Sequence, residues 1–110
     1  MREKNQLVNF LQGANTQELK KSLIPYANSP IYLTIDLDWF DPSLLPGTGT
    51  PEPGGFFWND FEVILDTLKN FRIVASDIVE LSPEIDNSGV SSVVAAKVLR
   101  SLIMLLENMQ

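Results

Sequence analysis

The feature that most constrains the fold is an amphipathic segment placed between two apolar, β-branched segments. The outer segments, IYLTIDL (31–37) and RIVASDIVEL (72–81), are typical of strands. Between them, apolar residues at helical spacing predict a helix over 59–70, with Asn59 and Glu62 at the spacing of a capping box. The apolar positions are Phe61, Ile64, Leu65 and Leu68. This order predicts two parallel strands joined by a helical crossover.

Three further segments extend the alternation of strands and helices. QLVNFLQ (6–12) predicts a short strand, TQELKKSLI (16–24) a helix, and 91–109 a long helix with a wide apolar face. Two seams form that face: Val94, Val98, Leu102 and Leu105 in the first, and Leu99, Ile103 and Leu106 in the second. Because both central strands are apolar on both faces, we expect helices on both sides of a parallel sheet, in a single α/β domain.

Charge and composition narrow the classes of partner. The chain has 110 residues and a net charge of −6, with neither cysteine nor histidine. An acidic chain lacks the basic surface that nucleic acids require, but it suits metal cations or a cationic substrate. No signal peptide is visible, and the most apolar stretch, 90–106, is interrupted by Lys97 and Arg100. We therefore expect a cytoplasmic protein without a membrane partner.

Three aspartates lie within six residues at the end of the first central strand, in TIDLDWFDP. Because side chains alternate along a strand, Asp36 and Asp38 should point the same way, at the edge where open parallel sheets bind ligands. Two ionised carboxylates on one face repel each other unless one is protonated or a cation lies between them. A divalent metal is the simplest solution, and oxygen ligands suit magnesium or manganese. The alternative is that they cap turns in the next loop. Asp41, which precedes a proline, is expected to hydrogen-bond loop amides and fix the turn.

Other chemistries of an aspartate-rich loop fit less well. An EF-hand counted from Asp36 would place Phe40 and Gly47 where calcium ligands are needed. A phosphatase of the haloacid dehalogenase type would use Asp36 as nucleophile and Asp38 as acid and base. That pattern expects a small hydroxyl residue at Phe40, and it does not account for PGTGTPEPGG.

Two blocks of the sequence carry a specific resemblance. LTIDLDWFDPSLLPGTGTPEPGG and, further on, IVASDIVELSPEIDNS resemble the ureohydrolase family of arginases, agmatinases and formiminoglutamases. The similarity extends from about residue 30 to the C-terminus, and the sequence of the motifs is closer to that of agmatinases than to that of arginases. It implies a three-layer α/β/α arrangement with a parallel sheet, of which residues 1–110 would be a partial domain.

The resemblance also implies a chemistry and roles for particular residues. The family hydrolyses a small cationic guanidino substrate, here agmatine by preference, to urea and an amine with a hydroxide that bridges two Mn²⁺ ions. Asp36 and Asp38 match two metal ligands, and Glu80 matches the carboxylate that receives the guanidinium group. Asp77 should be structural, since it faces away from Glu80. The loop over 47–55, called the glycine loop below, should shape the wall of the site. Its glycines, Gly47, Gly49, Gly54 and Gly55, should supply backbone angles or close approach.

The departures from the family are equally informative. The family completes its metal site with histidines and aspartates from earlier blocks, whereas this chain has no histidine and residues 1–30 hold no such block. We therefore expect the C-terminal portion of a ureohydrolase, inactive alone and homo-oligomeric. The alternative is a non-catalytic remnant that oligomerises. GGFFW also departs from the smaller, hydroxyl-containing continuation usual in the family, which leaves the choice of substrate open.

Overall fold

The computed structural model describes residues 16–109. It contains three helices and two strands: α1 (Thr16–Leu23), β1 (Ile31–Asp36), α2 (Trp58–Leu68), β2 (Ile73–Val79) and α3 (Val90–Glu107). Single 3-10 turns lie at Ile24–Tyr26, Leu37–Trp39 and Pro83–Ile85. The strand predicted over 6–12 lies outside the described residues. The other predicted elements are present, with boundaries that differ by a few residues.

The two strands pair in parallel, as predicted, and α2 connects them. The register is irregular after Ile31↔Ile73 and then runs regularly from Tyr32↔Ala75 to Asp36↔Val79. The last pair brings the carboxyl ends of both strands to the same edge of the sheet. The residues that follow β1 and β2 therefore lie next to each other, although more than forty positions separate them in the sequence.

One face of the sheet carries the core of the described residues. Leu33, Ile35 and Ile78 pack against a buried cluster supplied by α2, α3 and the segment after β1. The buried members of this cluster are Leu37, Phe40, Leu45, Phe61, Val94, Ala95, Val98 and Leu102. A second cluster joins α1 to the ends of α2 and α3, through Leu19, Leu23, Leu68, Phe71, Ile73 and Leu105. The first predicted seam of the long helix is thus buried.

The opposite face of the sheet is open within residues 16–109. Side chains of β1 alternate between half-buried and exposed, so Tyr32, Thr34 and Asp36 face outward. The expectation that helices cover both faces is therefore not met in the part of the chain that the structure describes. On α3, two members of the second predicted seam are also exposed, Leu99 at 51% and Ile103 at 54%, whereas Leu106 packs against the second cluster.

Local backbone geometry corrects two predicted boundaries. Helix α2 begins at Trp58 with Phe57 as its N-cap, not Asn59. Phe57 has extended backbone angles, and its N–H donates to Asp60 Oδ2 at 2.8 Å, so Asp60 rather than Glu62 supports the helix start. Strand β2 ends at Val79, two residues before the predicted end, because Glu80 adopts a φ of 76° that an extended strand does not accommodate.

Candidate metal and substrate site

The end of β1 brings Asp36 and Asp38 together through a turn rather than through strand alternation. The strand stops at Asp36, and Leu37–Trp39 forms a 3-10 turn. Asp36 Oδ1 accepts the N–H of Asp38 at 3.2 Å and so caps this turn. The argument from alternation was therefore wrong in its geometry, because the strand does not continue to Asp38. The turn-capping role considered as an alternative is present, and it places the two carboxyl groups side by side.

The electrostatics of this pair favour a positive partner. Burial first, then a hydrogen bond between the two carboxyl groups, raises the pKa of Asp36 to about 6. Repulsion from the charges of Asp38 and Glu80 acts in the same direction. A raised pKa means that the ionised form of Asp36 lacks compensating charge. A cation bound between the carboxylates would supply that charge.

Glu80 stands beside the pair, directly after the residue of β2 that is paired with Asp36. Its backbone φ of 76° lies in the left-handed region, where a residue with a side chain carries strain of about 1–2 kcal/mol. Such residues cluster at functional sites. The chain thus turns out of the sheet at Glu80, the residue that the family resemblance pairs with the guanidinium group.

The glycine loop is tied to the aspartate block at both of its ends. The Thr50 hydroxyl donates to Asp38 Oδ2 at 2.6 Å. Asp41 Oδ1 accepts the N–H groups of Gly54 and Gly55 at 3.0 and 3.1 Å. Hydrogen bonds from Ser43, supported by those of the loop amides, lower the pKa of Asp41 to about 2. Asp41 thus has the turn-fixing role predicted for it.

Three of the four loop glycines have the predicted geometric reason to be glycine. A Cβ on Gly47 would lie 2.7 Å from Ser91 Cβ, and one on Gly55 would lie 2.6 Å from the backbone nitrogen of Asp41. Gly54 has a φ of +91°, whereas a Cβ on Gly49 would meet nothing within 4 Å. The prediction is therefore confirmed for all except Gly49.

The GGFFW continuation builds an aromatic cluster next to the aspartates. Trp39 stacks on Phe56 with ring centroids 4.4 Å apart and planes at 14°. Phe40 contacts the rings of Trp39, Trp58 and Phe61. The N–H of Phe56 donates to the carbonyl of Trp39 at 3.1 Å. These contacts hold Phe56, which follows the glycine loop, against the 3-10 turn that carries Asp38.

Asp77 has a structural partner, in agreement with its predicted role. The Tyr32 hydroxyl donates to Asp77 Oδ2 at 2.7 Å across the open face of the sheet. This hydrogen bond raises the pKa of the Tyr32 phenol. The other oxygen, Asp77 Oδ1, is buried and finds no hydrogen-bond partner in the described part of the chain.

Several contacts of the site were not found by sequence reasoning. Thr50 was not singled out, because nothing in GTGTP distinguishes it from Thr48. The link between the loop and α3 was also missed: the N–H of Gly47 donates to Ser91 Oγ at 2.7 Å, and that of Ser91 donates to Asp86 Oδ2 at 2.9 Å. The one sequence signal for this link was the position of Asp86, an aspartate a few residues before an apolar helix.

The donor set suits one part of a metal centre. Asp36 and Asp38 offer oxygen ligands of the kind that manganese and magnesium prefer. Within residues 16–109, no group of three or more histidine, cysteine, aspartate or glutamate side chains could hold an ion. Two surface depressions lie elsewhere, one against α1 and one between α2 and α3. The described residues thus offer one candidate wall of such a site.

The fold and this wall define an α/β protein with an acidic site at the carboxyl edge of a parallel sheet. The chain matches the Arginase family over residues 8–105. It is 37% identical over 95 residues to the agmatinase of Chromobacterium violaceum, covering 86% of this chain and 29% of that protein. The chain therefore belongs to the arginase family, and this membership favours the ureohydrolase interpretation over the phosphatase alternative.

Solved structures agree with this assignment. The agmatine ureohydrolase of Thermoplasma volcanium superposes with a TM-score of 0.68 at 33% identity, over 84% of this chain and 31% of that one. The proclavaminate amidino hydrolase of Streptomyces clavuligerus gives 0.78 at 27% identity, over 89% and 32%. The predicted fold class, an α/β fold of the arginase type built on a parallel sheet, is confirmed for this part of the fold. The chain spans 24–31% of the length of three curated relatives.

No helix between residues 16 and 109 combines the length and the apolar character needed to cross a membrane.

Proposed function

We propose that the chain forms part of an agmatinase-like ureohydrolase, which hydrolyses a guanidino compound, agmatine by preference, to urea and an amine. The observation that carries this proposal is the placement of Asp36, Asp38 and Glu80 at one edge of two parallel strands. The names of the relatives support the choice of agmatine, since agmatinases recur among them.

In this role each residue has a distinct task. Asp36 and Asp38 would hold part of a pair of manganese ions, whose contribution is to activate water for attack on the guanidinium carbon. Glu80 would bind the guanidinium group, because a carboxylate pairs well with a planar cation. Asp41 and the glycine loop would shape the wall beside the substrate. The chain has no histidine, so the remaining ligands and a proton shuttle would come from residues beyond it.

We further propose a cytoplasmic, homo-oligomeric enzyme. The half-exposed second seam of α3 supports association, because apolar side chains such as Leu99 and Ile103 gain by burial against a partner. The same observation supports the competing hypothesis of a remnant that oligomerises without catalysis. Urea release separates the two.

The test uses a hybrid enzyme, in which this chain replaces the matching segment of the Chromobacterium violaceum agmatinase. We expect the hybrid to release urea from agmatine with manganese present. Glu80→Gln should lower kcat/KM by about 10- to 150-fold, which corresponds to the loss of a charge-assisted hydrogen bond of about 1.5–3 kcal/mol. Its manganese content should not change.

Two controls bound the interpretation. The 110-residue chain alone should release no urea, because its described residues supply only two candidate ligands to a site that needs more. Urea release by the chain alone, abolished by Asp36→Ala, would contradict that reasoning. Full activity of the Glu80→Gln hybrid would refute the role of Glu80, and hydrolysis of phosphate monoesters in place of guanidino compounds would refute the function.

A further inference from the structure

We propose that Thr50 is a positioning residue, which holds the carboxylate of Asp38 in the orientation needed to bind a cation. The inference rests on the proposed function for its account of the cation. The contact itself, between the Thr50 hydroxyl and Asp38 Oδ2 at 2.6 Å, is independent of it.

Asp38 is held at two points by two different partners. Its backbone N–H donates to Asp36 Oδ1 at 3.2 Å, which fixes the turn, and its Oδ2 accepts from Thr50, which fixes the side chain. An ionised carboxylate has about four acceptor positions, and one hydroxyl donor occupies only one of them. The positions that are used neither by Thr50 nor by the hydrogen bond to the Asp36 carboxyl group stay available to a cation. Hydrogen bonds of this kind orient the carboxylates that ligate metals.

Thr50 can act in this way because the loop around it is anchored on both sides. At one end, Gly47 donates to Ser91 Oγ at 2.7 Å and its carbonyl accepts the N–H of Ser82, also at 2.7 Å. At the other end, Asp41 holds the amides of Gly54 and Gly55. The hydroxyl is therefore presented by a segment with little freedom to move away from Asp38.

The same loop supplies a matched control, Thr48. Its side chain is fully buried, and its hydroxyl has no hydrogen-bond partner among residues 16–109. A valine has nearly the shape of threonine without the hydroxyl. Thr48→Val therefore removes a hydroxyl from the same loop without breaking a contact, whereas Thr50→Val removes the contact to Asp38.

The experiment compares the 110-residue chain with its Thr50→Val, Thr50→Ser and Thr48→Val variants by NMR. Without metal, three-bond couplings report whether the Asp38 side chain keeps one rotamer. We expect one rotamer in the unaltered chain, averaging in Thr50→Val, and one rotamer again in Thr50→Ser and Thr48→Val. A single rotamer in Thr50→Val, or averaging in Thr48→Val, would overturn the proposal.

Manganese is then added, and paramagnetic broadening of the Asp36 and Asp38 signals gives the affinity. Thr50→Val should need at least about ten times more manganese than the unaltered chain, and Thr50→Ser should restore the affinity. Equal affinity would overturn the positioning role even if the rotamer changed. If the unaltered chain shows no broadening at these residues, two carboxylates alone do not hold manganese, and the titration is repeated with the hybrid enzyme, where equal affinity of the Thr50→Val variant or no binding at all would overturn the cation role of Thr50.

Discussion

Replacing Gly55 with alanine tests how tightly the glycine loop is packed on the aspartate block. A Cβ at this position would lie 2.6 Å from the nitrogen and 2.8 Å from the Cα of Asp41, and 2.8 Å from the carbonyl carbon of Phe40. All three atoms are backbone, so no side-chain rotation relieves the clash. Overpacking costs about 1–3 kcal/mol, and loss of the hydrogen bond from the Gly55 N–H to Asp41 Oδ1 adds about 1 kcal/mol. We therefore expect a loss of about 3 kcal/mol in the free energy of unfolding.

Urea denaturation measures this loss, with tryptophan fluorescence as the signal. Trp39 stacks on Phe56, the residue after Gly55, and so reports on the loop. The matched control is Gly49→Ala, which places a methyl group in open space and should change the free energy by no more than about 0.5 kcal/mol. Equal stabilities of the two variants would refute the close approach of the loop to Asp41.

Three further predictions concern other contacts of the site. Ser91→Ala leaves a buried loop amide without its acceptor and should cost about 1–3 kcal/mol in urea denaturation, whereas no loss would show that water replaces the hydroxyl. At Glu80, valine should destabilise the chain by about 1–2 kcal/mol relative to glycine, because only glycine adopts a φ of 76° without strain, and equal midpoints would contradict that φ. The pH profile of stability should have two limbs. Ionised Asp41, whose pKa is lowered to about 2, contributes stability through its hydrogen bonds above pH 4, and this stability is lost as the pH falls towards 2. Protonated Asp36, whose pKa is raised to about 6, contributes stability below pH 4, and this stability is lost as the pH rises through 6. Asp36→Asn should remove this second limb alone.

The sequence predicted the parallel strand–helix–strand unit because its signals are local. Apolar residues at helical spacing marked α2, and β-branched residues marked β1 and β2. The ends of these elements were less predictable. Strand β1 stops at Asp36 because that side chain caps a turn, and β2 stops at Glu80 because of a positive φ. The residue type of Asp36 allowed the turn cap only as an alternative, and a positive φ at a glutamate has no signature in a short window of sequence.

The candidate site shows the same division. Family motifs identified Asp36, Asp38 and Glu80, and turn chemistry identified Asp41. The hydrogen bond from Thr50 to Asp38 depends on how a glycine-rich loop folds back over twelve residues, which the residue types do not encode. Within residues 16–109, the exposure of one sheet face was also not predictable, because Tyr32 and Thr34 face outward from a stretch that looked apolar throughout.

The manganese content of the hybrid enzyme tests the central claim most directly, which is that the carboxylates at the end of β1 belong to a metal centre. After dialysis against manganese and removal of free ion, elemental analysis should find about two ions per unaltered chain. Asp36→Asn and Asp38→Asn should each lower that number to one or none, while Glu80→Gln should leave it at two. Two ions in all of the variants, or none in the unaltered hybrid, would contradict the assignment of Asp36 and Asp38 as metal ligands.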